Sequence, residues 1–390
     1  MAYKIRTRDE HFANDCNPKR ILALDGGGLR GIVTLSFLAE IESMLRHRHG
    51  GAENFRLSHY FDLIAGTSTG SIIAAALAGG MTIAEITQRY LDLGQRVFQK
   101  SWLRQGYWRA FYNEAGLIEE LKQVYGPNTA MGDASLQTGL LIVTKRLDTG
   151  SAWPISNNPR GKYYANRPDR EVIANSDYPL WQVVRASTAA PRFFDPEKIE
   201  IGRGRAGEKS VVGEFVDGGL SPFNNPALQA VMFATLDGYR VGWPTGADKL
   251  LVVSVGTGSR DPAMAPATLA VEHAVKSLFS LMDDCASLVE TLLQWMSSSR
   301  TARLIDRETG DLRHDLIAPA PLIHYLRYNV ALTQESLTDL GLEFDDEKVE
   351  GLSAMDDPDN MTILQGIGAK AAKRKVRAED FPPNFDLALN

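Results

Sequence analysis

Two glycine-flanked turns carry the residue types that acyl-transfer chemistry needs. In "FDLIAGTSTGSIIAAALAGG" (61–80), an apolar run climbs into Gly66-Thr67-Ser68-Thr69-Gly70, and an alanine-rich helical pattern starts at once. This is G-x-S-x-G in a strand–turn–helix setting. Such a turn lifts the serine hydroxyl clear of the sheet, and the helix N-terminus behind it faces the serine. Gly66 and Gly70 remove side-chain bulk across the turn. The plainer reading of Ser68 is a helix N-cap. In "RILALDGGGLRGIVTLSFLAEIE" (20–42), three successive glycines follow another apolar run. Their N–H groups can turn to one side and receive a developing oxyanion. Arg30 brings a positive charge near, or is a solvated arginine in a first helical turn. Asp25 reads as a brace for the loop.

The same loop also spells Gly26-x-Gly28-x-x-Gly31, the dinucleotide pattern. That pattern wants an acidic residue at the end of the next strand. The next strand here ends in GTSTG instead, which weakens the cofactor reading. No Gly-Lys-Ser/Thr follows, so it is not a phosphate-binding P-loop.

A serine nucleophile needs a base. None of the seven histidines follows a strand with a turn signature. His47 and His49 read as a helix C-terminus, and His324 as part of a helical region. By contrast, "GEFVDGGLSPFNNP" gives a strand, Asp217, then Gly218-Gly219. An aspartate at a strand end, with no bulk behind it, is placed to face a site. Its plainer reading is an Asp-Gly turn.

The elements that must position these residues are short apolar strands alternating with helical patterns. Strands are predicted at 20–25, 60–65, 139–146, 212–217 and 250–255. Helices are predicted at about 31–48, 70–79, 82–98, 116–125, 179–189 and 226–236. Near-continuous apolar strands separated by helices indicate α/β architecture: a mostly parallel sheet with helices on both faces. Ligands bind such sheets beyond the strand carboxyl ends, so the three glycine turns should converge. Residues 264–300 read as one long helix or two, and the rest as helix and loop. The expected organisation is a tail at 1–17, a core at 18–260 and a helical extension at 261–390. Pro382 and Pro383 mark a loose end.

Composition narrows the function classes. The 390 residues are 44% hydrophobic and 23% charged, with net charge −6. This argues against a nucleic-acid binder working by bulk electrostatics. Cys16 and Cys285 make no disulfide framework and lack metal-ligand spacing. A reducing, cytoplasmic setting is expected, with no transmembrane span. Residues 97–116 hold Trp102 and Trp108 among Lys100, Arg104 and Arg109. They suit a membrane interface, or simply a cap on the core.

Taken in order, DGGGLRG, GTSTG and DGG resemble the patatin-like phospholipases. "RASTAAPRFF" (185–194) and "VVSVGTG" (252–258) resemble further blocks of that family. The resemblance covers about 20–260. It implies a three-layer patatin-like core and a serine–aspartate dyad, with Ser68 as nucleophile and Asp217 as base. The N–H groups of Gly26, Gly27 and Gly28, with Arg30 near, would form the oxyanion hole. The implied activity is hydrolysis of acyl esters of membrane phospholipid, without metal or organic cofactor, by a protein peripheral at the membrane. A Ser-His-Asp esterase and a nucleotide-binding module are the alternatives. A homo-oligomer and a small activating ligand stay open.

Overall fold

The computed structural model describes residues 3–97, 114–166, 171–191, 193–203, 209–260 and 270–388. Trp102, Trp108 and their basic neighbours fall outside the described residues. Among the described residues nine strands form one sheet: β1 (Lys19–Leu24), β2 (Leu63–Thr67), β3 (Gly139–Arg146), β4 (Ala152–Ser156), β5 (Glu197–Gly202), β6 (Val211–Asp217), β7 (Leu250–Val255), β8 (Ser297–Ser298) and β9 (Ile323–Tyr328). The helices are α1 (Arg8–Phe12), α2 (Gly31–Arg48), α3 (Leu57–Tyr60), α4 (Thr69–Ala78), α5 (Ile83–Val97), α6 (Glu114–Tyr125), α7 (Leu180–Ser187), α8 (Ala227–Thr235), α9 (Ala270–Trp295), α10 (Gln334–Asp339), α11 (Asp346–Leu352) and α12 (Met361–Lys375).

The central strands β3, β2, β1, β7 and β9 run parallel. Their middles are largely apolar because both faces are covered. Leu22 and Leu24 of β1 pack with α2, α4, α5, α7 and α12 on one face. Ile21 and Ala23 pack with α8 and α9 on the other. The period-2 alternation of the strand thus feeds two cores, and the three-layer α/β arrangement is observed.

One detail of register positions the site. Leu141–Lys145 of β3 pair with β4, which lies along one edge of that strand. The opposite edge is shared end to end. Gly139–Val143 pair with β2, which runs parallel and ends at Thr67. Thr144–Arg146 pair with β6, which runs antiparallel and ends at Asp217. The carboxyl ends of β2 and β6 therefore meet head to head beside Val143 and Thr144.

Three expectations change. The strand expected at 60–65 is β2 at Leu63–Thr67, preceded by the single turn α3. The region read as a helical extension supplies β8 and β9, and β9 pairs with β7 in the same sheet. A six-residue strand buried on both faces lacks alternation and is hidden among helical patterns. His324 accordingly lies on a strand. The two ends of the chain are also held. Phe385 and Leu387 are buried, and Arg48 pairs with Asp386. Near the start, buried Asp62 receives Arg6 at 2.6 Å, His11 at 2.9 Å and Arg20 at 3.2 Å.

These partners hold the Asp62 carboxyl far below its usual range, although burial alone would raise it. Its stabilisation is therefore present above about pH 4 and lost as pH falls. Asp62→Ala strands two arginines and a histidine without their acid. It is expected to cost about 3–5 kcal/mol, read as a lower urea midpoint at pH 7.

Candidate active site

The GTSTG turn forms because nothing larger fits. A Cβ at Gly66 would fall on the Gly70 carbonyl, and one at Gly70 on the Leu24 carbonyl of the neighbouring strand. Between them Ser68 takes φ 53° and ψ −128°. Such a backbone costs a non-glycine residue about 1–3 kcal/mol and clusters at functional sites. The local hydrogen bonds hold it there. The Ser68 N–H donates to Ser187 Oγ at 2.9 Å, and Ser187 Oγ donates to the Val143 carbonyl at 2.7 Å. Ser71 Oγ donates to the Ser68 carbonyl at 2.6 Å. Ser68 is the residue before α4, yet its side chain makes no cap bond to that helix.

The hydroxyl instead donates to Asp217 Oδ2 at 2.5 Å. The other carboxylate oxygen, Oδ1, accepts the Gly219 N–H at 2.7 Å. A Cβ on Gly218 would run into the Val143 carbonyl, so the DGG turn lies flat on β3. Asp217 is 4% exposed. Burial pushes its carboxyl up to about 6, against the lowering effect of Ser68, the Gly219 N–H and Arg185. A buried carboxylate with a raised pKa that accepts a serine hydroxyl can act as a base near neutral pH.

The glycine loop passes directly over this pair, and a Cβ on Gly26 would lie 2.9 Å from Ser68 Cβ. The three N–H groups differ. That of Gly26 already donates to the Asn224 carbonyl at 3.1 Å, so it is not a free donor. That of Gly27 donates at 3.2 Å to Thr69 Oγ1, a long bond that an oxyanion can displace. That of Gly28, at φ +60°, meets no acceptor among the described residues. Gly27 and Gly28 line the cavity above Ser68; Gly26 and Arg30 do not. Arg30 is 2% exposed behind the loop.

The loop is braced by side chains distant in sequence. Asp25 takes a two-pronged bond from Arg327 of β9, at 3.0 and 2.6 Å. Thr257 Oγ1 donates to the Gly26 carbonyl at 3.2 Å, and Tyr90 Oη to the Gly28 carbonyl at 2.6 Å. Asn224 links this loop to the DGG turn. The quoted "LSPFNNP" held it, but no local signal marks an asparagine as a strut.

The cavity above Ser68 and Asp217 has a volume of about 160 Å³. Its wall is apolar: Leu29, Ile72, Leu93, Phe194, Phe279 and Met355 among others. Leu278, Phe279 and Met282 bring α9 against its mouth. No described histidine side chain touches the pair. His11 bonds Asp62, His59 bonds Tyr3, His49 bonds the Leu45 carbonyl and His324 the Asp380 carbonyl. His47 and His314 are exposed.

The chain is 28% identical over 254 residues to the cGAMP-activated phospholipase of Escherichia coli (strain TW11681), a match covering 64% of this chain and 65% of that one. It is 31% identical over 267 residues to the 85/88 kDa calcium-independent phospholipase A2 of Mus musculus, covering 64% of this chain and 28% of the mouse protein. The chain thus spans just under two thirds of the first relative and under a third of the second. Among solved structures, VipD from Legionella pneumophila aligns with 90% of this chain and 67% of its own, at 14% identity and a TM-score of 0.33. The family description "Patatin-like phospholipase" matches residues 22–231, a span that includes the glycine loop, Ser68 and Asp217; the chain belongs to the patatin-like phospholipase family.

Proposed function

We propose that this protein is a lipid acyl hydrolase that cleaves acyl esters of membrane phospholipid through a Ser68–Asp217 dyad. The observation that carries the reading is the 2.5 Å bond from the Ser68 hydroxyl to a buried carboxylate at the head of an apolar cavity. Asp217 Oδ2 takes the hydroxyl proton as Oγ attacks the ester carbonyl. The tetrahedral oxyanion is received by the N–H groups of Gly27 and Gly28. Asp217 returns the proton to the leaving alcohol, and water resolves the acyl-enzyme by the same route. An acyl chain suits the apolar wall, and α9 gates its entry. The place of action is the cytoplasmic surface of a membrane. Among the described residues no helix is long and apolar enough to cross one.

The test is hydrolysis of mixed phospholipid vesicles, with the released fatty acids identified. One relative is named as activated by cGAMP, which supports a small switching ligand here too. The assay is therefore run with and without cGAMP. Release of no fatty acid under either condition would contradict the hydrolase reading.

The base assignment predicts a pH dependence. Only ionised Asp217 can accept the proton, so activity is lost as pH falls through its folded pKa. For a soluble ester, kcat/KM is expected to rise with pH along a single limb at about 6. A flat profile between pH 5 and 7 would remove Asp217 as the base.

A further inference from the structure

Behind the glycine loop lies a cation with no visible purpose in the chemistry above. Arg30 is 2% exposed, and its Nε and Nη1 are enclosed without a hydrogen-bond acceptor. Among the described residues its guanidinium makes neither a hydrogen bond nor an ion pair. The charged groups acting on it are Arg260, which repels, and Asp283 of α9, which attracts. Burial and Arg260 together push Arg30 down to about 9. Arg260 is half-buried beside it: its Nε is enclosed and unpartnered, and its guanidinium lies 4.7 Å from the centre of the Phe279 ring. A buried guanidinium with a second cation near it and no paired acid is costly in a low-dielectric setting, and Asp283, the acid that acts on Arg30, is itself exposed. Folding gains nothing from that excess positive charge, whereas an anion would satisfy it. Arginine pairs match phosphate geometry with parallel N–H donors.

The placement suits the substrate. Gly28 and Arg30 share one 3-10 turn, which rises about 2 Å per residue. Gly28 and Phe279 line the catalytic cavity, so each cation lies one layer behind a residue of its wall, Arg30 in the turn of Gly28 and Arg260 over the Phe279 ring. In a glycerophospholipid the phosphorus lies only a few bonds from the scissile ester. We propose that Arg30 and Arg260 form a subsite for the phosphodiester of the substrate, closed by α9, and that this subsite makes phospholipid preferred over neutral acyl esters. The proposal rests on the hydrolase reading. The phosphate takes the place of Asp283 as counter-charge, so α9 gives way as the headgroup enters.

The experiment compares monomeric 1,2-dihexanoyl phosphatidylcholine with 1,2-dihexanoylglycerol, which differ only in the headgroup. Arg260→Gln is expected to lower the ratio of the two kcat/KM values about tenfold or more, as for loss of a charged hydrogen bond. Arg260→Lys should recover part of it. Equal loss on both substrates would overturn the subsite. Calorimetry on Ser68→Ala reads binding without turnover: dodecylphosphocholine is expected to bind, and about tenfold more weakly once Arg260→Gln is added. If inorganic phosphate bound in its place and dodecylphosphocholine did not, the headgroup assignment would fall. Because this arm needs no catalysis, a wild type inactive on both esters would sink the hydrolase reading and leave calorimetry to decide the subsite. Arg30→Met removes an unpaired buried charge and is expected to raise Tm while lowering the substrate ratio; a lowered Tm with an unchanged ratio would contradict the proposal.

Discussion

Ser68→Ala is expected to abolish hydrolysis of every acyl ester, by about 10⁶-fold where the assay allows. Among the described residues it is the Ser68 hydroxyl that donates to Asp217 at the cavity floor; the Thr69 and Thr188 hydroxyls that also line the cavity do not. Alanine keeps the Cβ and the strained φ of 53°, so the fold should survive with little change in Tm. The loss has a second signature. The Ser68 hydroxyl is one of the groups that lower the Asp217 carboxyl. Without it, that carboxyl should titrate above 6, measurable by carboxyl NMR. Ser68→Gly should be as inactive but more stable, since glycine tolerates the backbone that serine resists. Substantial activity left in a folded Ser68→Ala protein would move the nucleophile elsewhere.

Asp217→Asn carries the second large effect. The amide keeps the shape and can still accept from Gly219, yet it has no basic oxygen. A loss of about 10²–10⁴ is expected from removing a general base. Since nucleophile and base act as a unit, the double variant should be little worse than Ser68→Ala alone. Stability should move the other way. The folded carboxyl sits near 6, above its unfolded value of about 3.9. Stability is therefore lost as pH rises through that interval, because the folded state holds the charge at a cost. Asn carries no such cost. The Tm advantage of Asp217→Asn should appear between pH 4 and 6 and level off above. A variant that is both inactive and less stable at pH 8 would indicate damage to the turn rather than loss of a base.

Much of this site was legible because its signals are local. The bulk excluded at Gly66 and Gly70 is excluded by the turn itself and by the adjacent strand, so the short motif reports the geometry. Asp25 was readable as a brace because it ends a buried strand. The helix expected at about 31–48 is α2, Gly31–Arg48, whose last turn carries Arg46, His47 and Arg48. What stayed hidden depends on contacts distant in sequence. Arg327 braces Asp25 from β9, a strand too short and too uniformly buried to show a period. The end-to-end meeting of β2 and β6 on one edge of β3 brings Ser68 to Asp217, and no pattern in either strand encodes it. Ser187 acts through its hydroxyl, which accepts one bond and donates another, and Asn224 through its backbone carbonyl and side-chain amide on Gly26, and no local pattern marks either. The sequence pattern grouped Arg30 with the oxyanion donors because it follows them by two residues; its side chain is buried behind the loop instead.

The most direct measurement of the dyad is intact-protein mass after exposure to a serine-reactive fluorophosphonate. The reagent adds only to an activated serine, so it reports nucleophile and base together and needs no lipid surface. One adduct, mapped to Ser68, is expected in wild type and in folded His273→Ala, His314→Ala and His324→Ala. Asp217→Asn should react slowly, and Ser68→Ala not at all. A folded histidine variant as unreactive as Ser68→Ala would contradict the dyad and assign the base to that histidine.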